Sequence, residues 1–387
     1  GLDSTTCDGT APCDLDHEIE KYTPGPDIRT STGTFNTPGS PGTFSVEGLG
    51  FQPKALFLWG TAVTDESVAV HSAQWIGFAD DTTQKVVAVT GENGAANDPD
   101  TFRSAVEDAN AVLYILNADG DGGSPPADPI AVATLSSYDS DGFTLDYSIA
   151  SSGYIVHYVA YGGDDLQAFV GQSAASAGSV NTVPFRPELV FAATSCNSTG
   201  QTNTYGNQSF GVFNDDLNQW WVGSYQGTEL EDSEDEKDSV LYTDGFIGQM
   251  YQGNKTWSLA VTSITDTGFG WSGTNADIFY YLALNLSGVG TFVGNFTKET
   301  SGTDPVSQDL PDFGFKPQFY MLASASETDQ VTNTPNSSRV TLGAYDGRTQ
   351  HSTTRTDGVN PGTNQNADQR SSTSAVLGIS DLDAAYD

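Results

Sequence analysis

Residues 51–59 read Phe51-Gln52-Pro53-Lys54-Ala55-Leu56-Phe57-Leu58-Trp59. Proline is tolerated at the start of a strand, where it forfeits only one ladder amide. The apolar residues that follow sit at consecutive positions rather than alternate ones, the pattern of a strand buried on both faces. The phrase returns twice. Phe185-Arg186-Pro187 precedes Leu189-Val190-Phe191-Ala192, and Phe315-Lys316-Pro317 precedes Phe319-Tyr320-Met321-Leu322. Pro53, Pro187 and Pro317 are spaced by 134 and 130 residues.

Further landmarks keep step with the prolines. Gly77-Phe78 with Asp80-Asp81, Gly211-Val212-Phe213 with Asp215-Asp216, and Gly343-Ala344-Tyr345 with Asp346 follow at 24, 24 and 26 residues. Ala111-Val112-Leu113-Tyr114 reads as the counterpart of Ser239-Val240-Leu241-Tyr242 and of Ala375-Val376-Leu377. Gly142-Phe143-Thr144-Leu145 matches Gly268-Phe269-Gly270-Trp271, and Ile155–Ala160 matches Ile278–Ala283. Upstream, Phe35 and Phe169 each lie 16 residues before the Phe of Phe-x-Pro. Ordered landmarks at matched offsets indicate duplication of a unit. Each reads as a short β-branched or aromatic run bounded by Gly, Asn, Asp or Pro. The expectation is an all-β fold of tandem β-sandwich or jelly-roll-like modules. Residues 1–32, polar and rich in Pro and Thr, read as an arm or linker; residues 33–165, 166–289 and 290–387 read as modules one, two and three. The third is incomplete, because only ten residues follow Leu377. It lacks the Asp-Gly-Phe strand and the final aromatic strand, so continuation of the polypeptide past Asp387, or completion by another chain, is expected.

The charge balance is extreme: 50 acidic against 14 basic residues, a net charge of −36. Such a surface repels itself in dilute buffer, whereas at molar salt the Debye length falls to about 3 Å. The acids are spread along the chain, with one dense run at Glu229–Asp238, which reads as adaptation to high salt. Nucleic acid as a partner is excluded, since it needs a basic footprint, and anionic membranes are disfavoured. No apolar run reaches the roughly 18 residues of a membrane span, and none serves as a signal peptide. The chain opens on Gly1 rather than Met, which reads as processing or trimming, and it lacks the hydrophobic N-terminal helix of a pilin-type subunit. Cys7 and Cys13 are either a small disulfide-closed loop or free thiols.

Catalytic chemistry is thinly represented. No G-x-S-x-G elbow is present. His157 lies inside an apolar strand and reads as a strand-face residue, as does His71. With 50 acids, carboxylate pairs are unavoidable and carry no signal. One loop has calcium-ligand spacing: Asn117, Asp119 and Asp121, then Gly122 and Asp128, oxygen donors at positions 1, 3, 5 and 12 with Gly at 6. A preceding strand and Pro125-Pro126 depart from the usual helical setting, so Ca2+ or another cation competes with an ordinary acidic hairpin loop. No cofactor is required. Trp220-Trp221 is the best candidate for a sugar platform, but adjacent strand residues face opposite sides, so at most one is free. Asn-x-Ser/Thr occurs six times, at Asn207 among others, and in so Asn-rich a chain this marks nothing by itself.

The stretch Gly48-Leu49-Gly50-Phe51-Gln52-Pro53-Lys54-Ala55, with Gly142-Phe143-Thr144-Leu145 and Ile155-Val156-His157-Tyr158-Val159-Ala160-Tyr161-Gly162-Gly163, resembles a tandem module of structural proteins of tailed viruses. The second module departs from it: Glu188 stands at the Lys-Ala start, and the His-Tyr pair becomes Tyr280-Tyr281. Together with the acidic composition, the resemblance implies a tailed virus of a haloarchaeon and a non-enzymatic role on the virion surface, as capsid turret or decoration, tail fibre or baseplate part. It implies a homo-oligomer about a symmetry axis, contact with other virion proteins and with host-surface glycans, and no membrane insertion. No catalytic residue carries over. The alternatives are a secreted haloarchaeal adhesin or carbohydrate-binding protein, and an extracellular polysaccharide-degrading enzyme, which requires a cleft with a convergent carboxylate pair.

Overall fold

The run after Pro53 forms a strand in which every residue but Lys54 is buried. The computed structural model describes residues 25–91, 103–117, 128–195, 200–202, 205–227, 237–251, 254–273, 277–297, 310, 313–325, 337–360 and 364–376. The first unit holds β1 (Arg29–Asn36), β2 (Gly42–Glu47), β3 (Pro53–Gly60), β4 (Ala69–Val70), β5 (Ser72–Ala79), β6 (Gln84–Gly91), β7 (Arg103–Asp108), β8 (Leu113–Leu116), β9 (Pro129–Asp139), β10 (Gly142–Ile149) and β11 (Ile155–Gly162). The second holds β12 (Gln167–Ala174), β13 (Ser179–Val180), β14 (Leu189–Thr194), β15 (Gly200–Thr202), β16 (Tyr205–Asn214), β17 (Gln219–Gly227), β18 (Lys237–Tyr242), β19 (Ile247–Tyr251), β20 (Asn254–Thr265), β21 (Gly268–Ser272) and β22 (Ile278–Asn285). The third holds β23 (Tyr320–Ala325), β24 (Ser337–Tyr345), β25 (Gln350–Asn360) and β26 (Asn364–Ser372). Among the described residues there is no α-helix, only a 3-10 turn at Ala175–Ala177.

The all-β expectation holds. In the first unit a large antiparallel sheet, β1-β11-β3-β5-β6-β7, faces a small one, β2-β10-β9-β8; in the second, β12-β22-β14-β16-β17-β18 faces β13-β21-β20-β19. The two orders correspond strand for strand. The third sheet is β23-β24-β25-β26. β1 begins at Arg29, so residues 29–32, assigned to the arm from sequence, belong to this strand: their alternating Thr and Ser pair with the apolar β11.

Each sandwich has its own core, Leu56, Leu58, Trp75, Phe143 and Leu145 in the first and Phe213, Phe246, Phe269 and Phe279 in the second. The opposite faces of the large sheets are apolar as well, and they meet in one shared core. Phe57, Ile76 and Phe78 from the first sheet, Phe191, Phe210 and Leu282 from the second, and Val340, Leu342 and Ala344 from the third pack together. Phe57 is central, with ring centroids 5.5 Å from Phe191, 5.6 Å from Phe210 and 5.3 Å from Phe78.

The sheets are also exchanged cyclically. β15 of the second unit adds to the edge of the first sheet at β7, and β4 of the first adds to the edge of the third at β26. Asp80, in the β5–β6 turn, accepts the turn amides of Thr82 and Thr83 on Oδ1 and the Val170 amide of β12 on Oδ2, at 2.5 Å. Asp346, in the β24–β25 turn, accepts the amides of Arg348 and Thr349 on Oδ1 and that of Thr32 in β1 on Oδ2, at 3.0 Å. Each aspartate thus staples its own hairpin to the first strand of the next unit around the ring. The three sheets thus meet in one core within a single chain.

The glycine landmarks have a steric cause. A Cβ on Gly77 would overlap the carbonyl oxygen of Val112, one on Gly211 that of Phe246, and one on Gly343 that of Val376. In each unit the chain leaving the large sheet crosses directly over this glycine. The crossing corrects three sequence pairings. The counterpart of Val112-Leu113 is Phe246-Ile247, while Val240-Leu241 lies in the edge strand β18. The counterpart of Asp80 is Asn214, three residues after its glycine, rather than Asp215. Gly33 pairs with Tyr158 and Gly171 with Tyr281, so Phe35 and Phe169 are offset by four residues despite equal spacing from Phe-x-Pro.

Two substitutions test this architecture. Phe57→Ala is expected to lower unfolding free energy by about 3–5 kcal/mol, the usual cost of emptying a core aromatic site, in denaturant titration at constant salt. Gly77→Ala is expected to cost about 1–3 kcal/mol through overpacking, more than Gly25→Ala, where a Cβ meets nothing.

Candidate functional site

The residues singled out from sequence separate in the structure. Asn117 donates its amide to the Asp128 carbonyl at 3.0 Å, closing the β8–β9 hairpin, while Asp119 and Asp121 lie outside the described residues. Among the described residues no group of three or more His, Cys, Asp or Glu is placed to hold a metal. Cys7, Cys13 and the acidic run 229–236 also lie outside them. Trp221 is fully buried against Tyr242, and Trp220, on the other face, is buried in the shared core. Neither Trp is available as a sugar platform, because both faces of this sheet are covered. Asn207 is buried, with its Nδ2 donating to the Met250 carbonyl at 2.8 Å.

A polar groove of about 540 Å³ opens where β3, the β5–β6 turn and β9 meet, lined by Gln52, Lys54, Asp81, Gln84, Ser137 and Tyr138, among others. Most of its polar side chains serve internal bonds. Gln52 donates to the Tyr138 carbonyl at 2.8 Å, Lys54 to the Asp164 and Leu166 carbonyls at 3.0 Å, and Gln84 accepts the Leu135 amide at 2.6 Å.

Buried polar groups collect instead at the junctions between sheets. His157 Nε2 lies 2.7 Å from Ser371 Oγ, a Ser–His pair that sequence reasoning could not assemble across 214 residues. The imidazole is fully buried, stacks on Trp59 at 5.2 Å, and has His351 at 5.6 Å. Burial, with a smaller push from His351, lowers its pKa to about 3. Its Nδ1 has no hydrogen-bond partner among the described residues. A base of that kind, sealed from solvent and not oriented by a carboxylate, does not activate a hydroxyl at neutral pH. Arg355, also fully buried, donates to Ser224 Oγ of the second sheet at 2.8 Å. At the junction of the first two sheets Glu107 Oε1 accepts Thr194 Oγ1 and the Ser195 amide, each at 3.0 Å. Burial pushes its carboxyl up to about 7 against those bonds, which favour ionisation.

One surface differs from the rest. Phe292, Phe296 and Phe315 are 48%, 42% and 41% exposed, whereas Phe51 and Phe185, the earlier counterparts of Phe315, are 8% and 7% exposed. Phe313 bridges the group, 4.7 Å from Phe292 and 6.3 Å from Phe315. β23, a few residues beyond Phe315, is paired on one side only among the described residues. An exposed aromatic cluster is a candidate interaction surface. Sequence reasoning did not single out this cluster; Phe292-Val293-Gly294-Asn295, which repeats Phe169-Val170-Gly171-Gln172, is the signal that locates it.

No protein-family model matches the chain, and no curated protein matches it.

Glu107 gives a pH-dependent prediction. Its carboxyl binds a proton more tightly in the folded chain than in the unfolded one, so stability falls as pH rises from about 4.5 to about 7. Glu107→Gln keeps an oxygen for Thr194 and Ser195 and removes the charge. Above pH 7 it is expected to be more stable than the parent by roughly 3 kcal/mol, with no gain at pH 4, in denaturant titrations across that range. His157 works in the opposite sense: its folded pKa is depressed, so its contribution is lost as pH falls below 6.5. His157→Gln is expected to flatten that acid limb.

Proposed function

We propose that the chain is a non-enzymatic structural protein on the virion surface of a halophilic tailed virus, a turret or decoration, tail fibre or baseplate part. The observation that carries the reading is the packing of three sheets from successive units on one shared core. Structural assemblies are built on closed symmetry, and a chain that packs repeated units on one core suits such a setting. The net charge of −36 supports a high-salt setting. The buried polar groups sit in sheet junctions, where they fix how the sheets dock and have no access to a substrate. Other virion proteins are the primary partners and host-surface glycans secondary ones. No helix among the described residues is long and apolar enough to cross a membrane.

Antibodies against the folded chain are expected to label the surface of particles purified from hypersaline lysates, by immunogold electron microscopy. Labelling confined to cell envelopes would overturn the assignment in favour of a secreted haloarchaeal adhesin. That second reading has one observation in its favour, the polar groove beside Tyr138, and predicts glycan-array binding that Tyr138→Ala and Asp81→Ala reduce. The salt adaptation has its own test: the chain is expected to gain stability steadily from 0.1 M to 3 M KCl, in thermal melts.

A further inference from the structure

The shared core is layered. Gly77, Gly211 and Gly343 mark equivalent positions in the three units, and Ile76, Phe210 and Leu342, one residue before each, pack together in that core. Two residues further back stand Gln74, Gln208 and Val340. Strand alternation carries this second set to the same face as the first, and all six side chains line one small cavity between the three sheets. Its volume is about 10 Å³, room for a single small occupant. Two of the three units thus place a carboxamide where the third places an aliphatic side chain.

Those carboxamides are the anomaly. Gln74 is 2% exposed and Gln208 4%, and the Nε2 of each has no hydrogen-bond partner among the described residues. A buried donor without an acceptor is destabilising, and in a native core it points to an occupant that supplies the bond. The surroundings indicate which. Among the described residues no Asp or Glu lines the cavity, and apart from the two glutamines its walls are apolar. Gln208 lies opposite Ser224 across β16 and β17, and Val340 lies opposite Arg355 across β24 and β25. Directly opposed residues project to the same side of a sheet, so Ser224 and Arg355 belong to this layer. Arg355 is fully buried and donates through Nη2 to Ser224 Oγ at 2.8 Å, which brings a guanidinium charge into it. Donors and positive charge on an otherwise apolar wall suit an anion that has no hydrogens of its own to satisfy. The size of the cavity restricts that anion to a monatomic one.

We propose that this cavity is a halide site. A chloride ion accepts the Nε2 groups of Gln74 and Gln208 and so ties the first sheet to the second, under the cover of Val340 and Leu342 of the third. Salt then acts on the chain in two ways. Screening of the acidic surface depends on ionic strength alone, whereas occupancy of the site depends on which anion is present. The site requires nothing of the virion assignment.

Bromide is the probe, because it replaces chloride and scatters anomalously. Crystals of the chain grown in KBr are expected to show an anomalous peak within hydrogen-bonding reach of both Nε2 atoms. Density there without an anomalous signal would identify a water and overturn the proposal. In solution, KBr is exchanged for potassium acetate at a constant 3 M salt. Acetate is too large for the cavity, and bromide is the less stabilising anion in bulk, so without a site the exchange only lowers the melting temperature. The expected result is instead a saturable rise of about 3 °C by 1 M bromide, absent from the double variant Gln74→Val, Gln208→Val. Val340 shows that valine fits this position of the fold, and an unchanged circular dichroism spectrum establishes that the variant is folded. A melting temperature that only falls as bromide replaces acetate, or a rise that the variant keeps in full, would likewise refute the site.

Discussion

The structure depends on one constraint: the large sheets of the first two units are apolar on both faces, and each needs two covers. The small sheet of its own unit covers one face; the neighbouring large sheet and the third sheet cover the second. Phe57, in ring contact with Phe78 of its own sheet and with Phe191 and Phe210 of the next, belongs to β3, the strand that follows Phe-x-Pro. A free-standing sandwich of this sequence would expose Phe57, Trp59 and Phe78 together. That is far more contiguous apolar surface than a soluble unit carries. The repeat therefore closes on itself, and the cyclic exchange of β4 and β15 and the Asp80 and Asp346 staples follow from the closure.

Closure has a cost in buried polar groups. Glu107, His157 and Arg355 all lie at junctions between sheets, and each is held by hydroxyls or amides of the neighbouring sheet. Burial pushes the carboxyl of Glu107 upward and the imidazole of His157 downward, so both favour their neutral forms. Such groups discriminate between correct and slipped docking, because a misplaced neighbour leaves them without partners in a low dielectric. The acidic exterior imposes the complementary condition. Self-repulsion of a chain of charge −36 is relieved by salt, and the shared core is what holds the ring together while it persists.

Much of the fold was legible in one dimension. Consecutive apolar residues after Phe-x-Pro specify a strand buried on both faces, and recurrence of that strand with a glycine 24–26 residues later specifies the repeat, because both follow from local sterics and periodicity. Register was not legible. Phe35 and Phe169 keep equal spacing yet sit four residues apart in the sheet, and Val240 mimics Val112 while Phe246 replaces it, since hydrophobic identity does not record which backbone crosses which glycine. The candidate site was the least legible part: the calcium-like spacing at Asn117 was local and visible, whereas the Ser371–His157 contact joins residues 214 apart in the chain and the exposure of Phe292 depends on what packs beside it. Sequence by itself determined the strands, the repeat and the surface charge, because each is a property of neighbouring residues or of composition. Only the tertiary structure decided that the second apolar face turns inward to a shared core, because that depends on how three sheets pack together.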